Sequence, residues 1–85
     1  MSNNLEKRHP KYELDDDDKG RITEVFFENI IPKLRKLSAR IGTLNCDFAG
    51  KEYENWNIHF KSKGSGFEIV DFEYDKDSFG FSLEP

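Results

Sequence analysis

Between residues 43 and 83 nearly every apolar residue falls on a two-residue alternation broken only by turn chemistry, and one amphipathic helical stripe stands immediately before it. A period of two marks strands with one buried face, and a period of 3.6 marks a helix with one buried stripe. A chain patterned this way can bury both by laying the helix on the sheet, so the expected class is α+β with two layers. Strand-like runs are expected at residues 43–49, 53–60, 67–74 and 79–83, separated by Gly50-Lys51, by residues 62–66 and by Asp75-Lys76-Asp77-Ser78. Connections this short favour antiparallel neighbours, so the expected sheet is a four-stranded antiparallel meander.

The helix is expected from Ile22 onward, because Ile22, Val25, Phe26, Ile30, Leu34, Leu37 and Ile41 recur at steps of three and four. Pro32 interrupts that stripe. A proline inside a helix removes one backbone hydrogen bond and crowds the preceding turn, which predicts a kink over residues 28–32. Gly42 is the expected stop. Glu24 and Glu28 come early and Lys33, Arg35, Lys36 and Arg40 late, the order the helix dipole prefers.

Residues 1–19 hold only Leu5, Tyr12 and Leu14 as sizeable apolar side chains and end in Asp15-Asp16-Asp17-Asp18-Lys19. That composition predicts a flexible tail followed by a single domain at residues 20–85, and a deletion through Asp18 that leaves stability unchanged. The acidic run also spells the cleavage sequence used in expression tags; the simpler reading is a solvated leader whose charge favours the next helix N-terminus. A short added strand at residues 11–14 would make the order similar to the cystatin arrangement of one helix wrapped by a sheet. None of that family's inhibitory motifs is present, so neither residues nor activity carry over.

Strand parity predicts which side chains face the helix: Leu44, Cys46 and Phe48, then Trp56, Ile58 and Phe60, then Phe79, Phe81 and Leu83. In the third strand Val70, Phe72 and Tyr74 share the inward parity if Tyr74 faces Phe79 across a four-residue loop. Phe67 and Ile69 then point outward, unless a β-bulge near Ile69-Val70 turns them back. The first hairpin needs a three-residue loop or a bulge, since a two-residue Gly50-Lys51 loop would force Asn55, Asn57 and His59 into the core. With 14% aromatic residues, eight of them Phe, the core is expected to be built from rings, centred on Trp56 and Phe72.

Catalytic and metal chemistry finds little support in the residue spacing. Cys46 and His59 have opposite parity, so a thiol-imidazole pair is not expected, and Cys46 reads as a small buried hydrophobe. Asp75, Asp77 and Gly80 match only part of a calcium-binding loop, no cysteine or histidine pair has zinc spacing, and no metal or cofactor is expected. Lys61-Ser62-Lys63-Gly64-Ser65-Gly66 is basic and glycine-rich but lacks the strand-to-helix setting of a phosphate loop. Lys63-Gly64-Ser65-Gly66-Phe67 is partly similar to the aromatic strand of RNA-recognition motifs, without their βαββαβ order.

The expected function is therefore a non-catalytic protein-interaction or inhibitory module that binds a partner, or a second copy, through the open face of its sheet. Tyr53, Asn55, Asn57, His59, Phe67 and Ile69 are the expected contact residues. The alternative is a weak nucleic-acid or anion binder using Lys61 and Lys63 of the loop with Lys33, Lys36 and Arg40 of the helix. A net charge of −4 and a pI near 5.1 disfavour nucleic acid as the main partner. A single cysteine and the lack of a long apolar stretch predict a cytoplasmic setting and no membrane partner.

Overall fold

In the computed structural model, residues 11–77 and 81–85 are described. They form one helical segment over residues 16–36 packed on a four-stranded antiparallel sheet, an α+β two-layer fold. The expected tail at residues 1–10 and the inward placing of Phe79 lie outside the described residues.

The helix starts earlier than its apolar stripe. Helix α1 (Asp16–Val25) is capped by Asp15, whose carboxylate accepts from the Asp18 amide at 2.8 Å while Asp18 Oδ2 accepts from the Asp15 amide at 3.1 Å. This reciprocal capping box satisfies two backbone donors, and the acidic run supplies both of its members and a first turn of Asp16, Asp17 and Asp18. Residues 15–19 thus belong to the folded domain, which corrects the expected boundary at 20. Residues 11–14 do not form a strand, but the Lys11 amide donates to the Glu52 carbonyl at 2.8 Å and Trp56 Nε1 donates to the Lys11 carbonyl at 2.9 Å.

The irregularity expected before Pro32 takes the form of a π-helical turn at Phe26–Ile30, after which helix α2 (Ile31–Lys36) resumes with the proline in its first turn. The Ile31 amide reaches back five residues to the Phe26 carbonyl, so one extra residue enters the turn and the crowding by the proline ring is relieved. The buried stripe shifts accordingly. It runs Ile22, Phe26, Ile31, Leu34, with a step of five across the π turn, and leaves Ile30 half-buried and Leu37 exposed. The helix stops at Lys36, six residues before the expected Gly42. Ser38 adopts φ 58°, and the Ser38 and Ala39 amides return to the Arg35 and Leu34 carbonyls, a Schellman closure with serine at the left-handed position.

Strands β1 (Ile41–Asn45), β2 (Trp56–Lys63), β3 (Gly66–Tyr74) and β4 (Phe81–Glu84) are arranged in the order β3-β2-β1-β4. The first three form a meander, but β4 crosses back to pair with β1, giving a Greek-key order in place of the expected four-strand meander. Tyr74 therefore faces Trp56, and Phe81 faces Leu44. Gly42 is one reason this pairing closes. A Cβ at that position would collide with the Ser82 carbonyl oxygen and crowd the Phe60 ring and the Leu83 side chain. Gly42→Ala is therefore expected to loosen β4, costing about 1–3 kcal/mol as overpacking. Loss of amide-exchange protection across residues 81–84 is the readout, and unchanged protection would refute this role for the glycine.

The β1–β2 connection covers residues 46–55 and contains two 3₁₀ turns, Cys46–Ala49 and Lys51–Tyr53, joined at Gly50 with φ 147°. Its length resolves the parity conflict, since Asn57 and His59 keep the open face. The register slips between His59 and Phe60, where Val70 is the additional residue on β3. That bulge turns Phe67 and Ile69 toward the helix layer, and the Phe60 and Phe67 rings meet edge-on at 6.1 Å. The core centres on Phe26, Phe60, Ile22, Ile58 and Cys46, whereas Trp56 and Phe72 pack at its margin. Phe72 lies on edge strand β3, with the Lys19 ammonium 5.7 Å from its ring centre.

Candidate functional site

The open face of the sheet is assembled from alternate residues of all four strands: Ile41, Thr43 and Asn45 from β1, Asn57, His59 and Lys61 from β2, Glu68, Asp71 and Glu73 from β3, and Ser82 and Glu84 from β4. The bulge adds Val70, which is 55% exposed, and Ile41 is 49% exposed. Between them lies a shallow groove of about 350 Å³ bordered by Thr43, His59, Lys61, Ser82 and Glu84.

A cross-strand polar chain runs along one side of this groove. Thr43 Oγ1 lies 2.8 Å from His59 Nδ1, and His59 Nε2 lies 2.6 Å from Glu73 Oε1. A carboxylate can only accept, so Nε2 carries a proton toward Glu73; in the neutral ring Nδ1 then accepts from the Thr43 hydroxyl, and in the charged ring it donates to the same oxygen. Either state keeps every partner. The order hydroxyl, imidazole, carboxylate is also that of an activated nucleophile. Here, though, the surrounding amides belong to inner strands β1 and β2 and point along the sheet toward neighbouring strands. They are not aimed at a position where negative charge would develop on a substrate. The arrangement fixes these polar groups on a flat surface.

The expected contact residues divide. His59 lies on the groove, and Asn57 lies on the same face but is 4% exposed, its Oδ1 accepting from Asn45 Nδ2 at 3.1 Å. Asn55 sits in the turn before β2, its carbonyl accepting from the Asp75 amide. Tyr53 is not on the open face: it ends a 3₁₀ turn, is 2% exposed and donates its hydroxyl to Asp18 Oδ1 at 2.8 Å. Phe67 and Ile69 belong to the helix side because of the bulge. Thr43 and Glu73, missed in the sequence, could have been found once β2 was registered against both neighbours, since Thr43 sits directly opposite His59 and Glu73 opposite Asn57.

The cations expected for the alternative reading are dispersed. Lys61 and Lys63 both pair with Glu68, at 3.7 and 3.5 Å. Arg40 follows the helix end and does not continue the Lys33 and Lys36 stripe. It borders a second cleft of about 320 Å³ with Arg35 and the Ser62–Gly66 turn, where Arg35 donates to the Ser65 carbonyl at 3.3 Å.

On the helix side, Asp18 joins the N-terminus to the 3₁₀ turn. Burial pushes its carboxyl upward, but hydrogen bonds from the Asp15 amide, Tyr53 hydroxyl and Lys11 ammonium outweigh this and hold it below the ordinary carboxylate range. Tyr53 is raised by burial and by its bond to Asp18, and Lys11 is raised chiefly by its bond to the same carboxylate. Burial, followed by the charge of Asp47, pushes the Cys46 thiol up to about 12, so it packs as a neutral side chain. Among the described residues no group of three or more His, Cys, Asp or Glu side chains could hold a metal, and no helix is long and apolar enough to cross a membrane. Comparison with protein families, curated proteins and solved structures gave no match.

Proposed function

We propose that this domain is a non-catalytic protein-interaction or inhibitory module that engages a protein partner, or a second copy, through the open face of its sheet. The observation that supports this is the groove between Ile41 and Val70, apolar at its centre and rimmed by fixed polar groups of both signs. Interfaces combine a small desolvated apolar centre with a hydrogen-bonding rim, and the Thr43-His59-Glu73 chain supplies such a rim without the entropy cost of ordering loose side chains. Its contact set keeps His59 from the expected one, while Ile41, Val70 and Thr43 replace Tyr53, Phe67 and Ile69.

The test is quantitative affinity capture followed by reconstitution with the purified partner. Ile41→Lys with Val70→Lys should abolish capture and weaken the reconstituted complex at least about tenfold, the effect of losing roughly 1.4 kcal/mol. Glu24→Gln on the exposed helix surface should leave both unchanged. Capture that survives the double substitution would exclude the groove as the binding surface.

A further inference from the structure

We infer that a second copy of this chain docks along the outer edge of β4, so that two sheets join into one continuous antiparallel sheet. The two edges of the monomer are unequal. On β3 the bulge at Val70 breaks the ladder, Glu68, Asp71 and Glu73 add charge, and Asp71 Oδ1 already accepts the Phe72 amide at 2.9 Å. Bulges and charges of this kind protect a strand edge against pairing. On β4 the residues Phe81, Ser82 and Leu83 carry no charge, and Phe81 is 74% exposed even though its register with Leu44 places it on the helix side of the sheet. A large ring therefore stands uncovered on the apolar layer, at an edge without a bulge in its pairing and with its one charged residue, Glu84, at the end of β4.

The sequence of β4 is self-complementary in one antiparallel register. With a two-fold axis through Ser82, Phe81 of each copy faces Leu83 of the other on the helix side, and the two Ser82 side chains face each other on the open side. The Glu84 residues then lie at opposite ends of the paired segment. A parallel arrangement would instead bring them side by side. Because the axis stands perpendicular to the sheet, both helices fall on one side and both open faces on the other, making one extended surface. The edge and the groove share Ser82 and Glu84, but only edge pairing sets Ser82 against Ser82, so the Ser82→Cys cross-link separates this assignment from the groove reading.

Sedimentation equilibrium of the full chain tests it. The unmodified chain should dimerise; Ser82→Lys, which sets two ammonium groups against each other across the axis while leaving the core untouched, should be monomeric with an unchanged circular dichroism spectrum. Ser82→Cys should form a covalent dimer without reductant, whereas the unmodified chain, with Cys46 buried, should not. A chain that stays monomeric at every concentration would overturn the inference. So would a dimer that persists in Ser82→Lys and fails to cross-link through Ser82→Cys. If that dimer were instead dispersed by Ile41→Lys with Val70→Lys, the edge assignment would fall and the open-face reading would stand.

Discussion

Phe60→Ala is expected to remove about 4 kcal/mol of stability, most of what a domain of this size possesses. The ring is 1% exposed, lies 5.6 Å from the Phe26 ring and 6.1 Å from the Phe67 ring, and reaches over Gly42 where β1 has no side chain. Its removal would open a cavity walled by helix, bulge and central strands, none of which can move in without breaking its own pairing. Phe72→Ala should cost clearly less, because that ring sits on the edge strand, half-buried and partly covered by Lys19. Urea denaturation of the two variants decides the matter. Equal midpoints, or a larger loss for Phe72→Ala, would show that the core is centred where parity alone suggested, around Trp56 and Phe72.

Asp18→Ala should cost about 3 kcal/mol, since it removes half of the capping box and leaves the buried Tyr53 hydroxyl without its acceptor. Deleting residues 1–18 should be at least as damaging, in contrast to the dispensable tail that composition implied, because the deletion also removes the Lys11 contacts to Glu52 and Trp56. The pH dependence follows from the sign of the shift. Asp18 is depressed in the folded state, so its contribution is complete above the ordinary carboxylate value of 3.8 and is lost as the pH falls below it toward the folded value. Asp18→Asn should therefore lower stability at neutral pH and flatten the acid limb of the stability profile. An acid limb as steep as that of the unmodified chain would mean that other carboxylates carry the dependence.

Local patterning was enough to establish one helix on an antiparallel sheet, the inward set Leu44, Trp56, Ile58, Phe60 and Leu83, the burial of Cys46 and the irregularity before Pro32. Each depends on periodicity or on one residue's covalent geometry, and both can be read within a few positions. The remaining features depended on single-residue insertions and on pairings between distant segments. The π turn advances the buried stripe from Ile30 to Ile31, and the bulge at Val70 moves Phe67 and Ile69 to the opposite face, because one added residue inverts or shifts every later side chain. The return of β4 to β1 depends on Gly42 admitting the Ser82 carbonyl, a contact across forty positions of chain. Asp18, which reads as one member of a solvated acidic run, is buried only because Tyr53 arrives over it from the 3₁₀ turn. The Thr43-His59-Glu73 chain exists only once three strands are registered side by side, and the groove only once all four are, so sequence alone could place His59 on the outer face but could not show what it faces there.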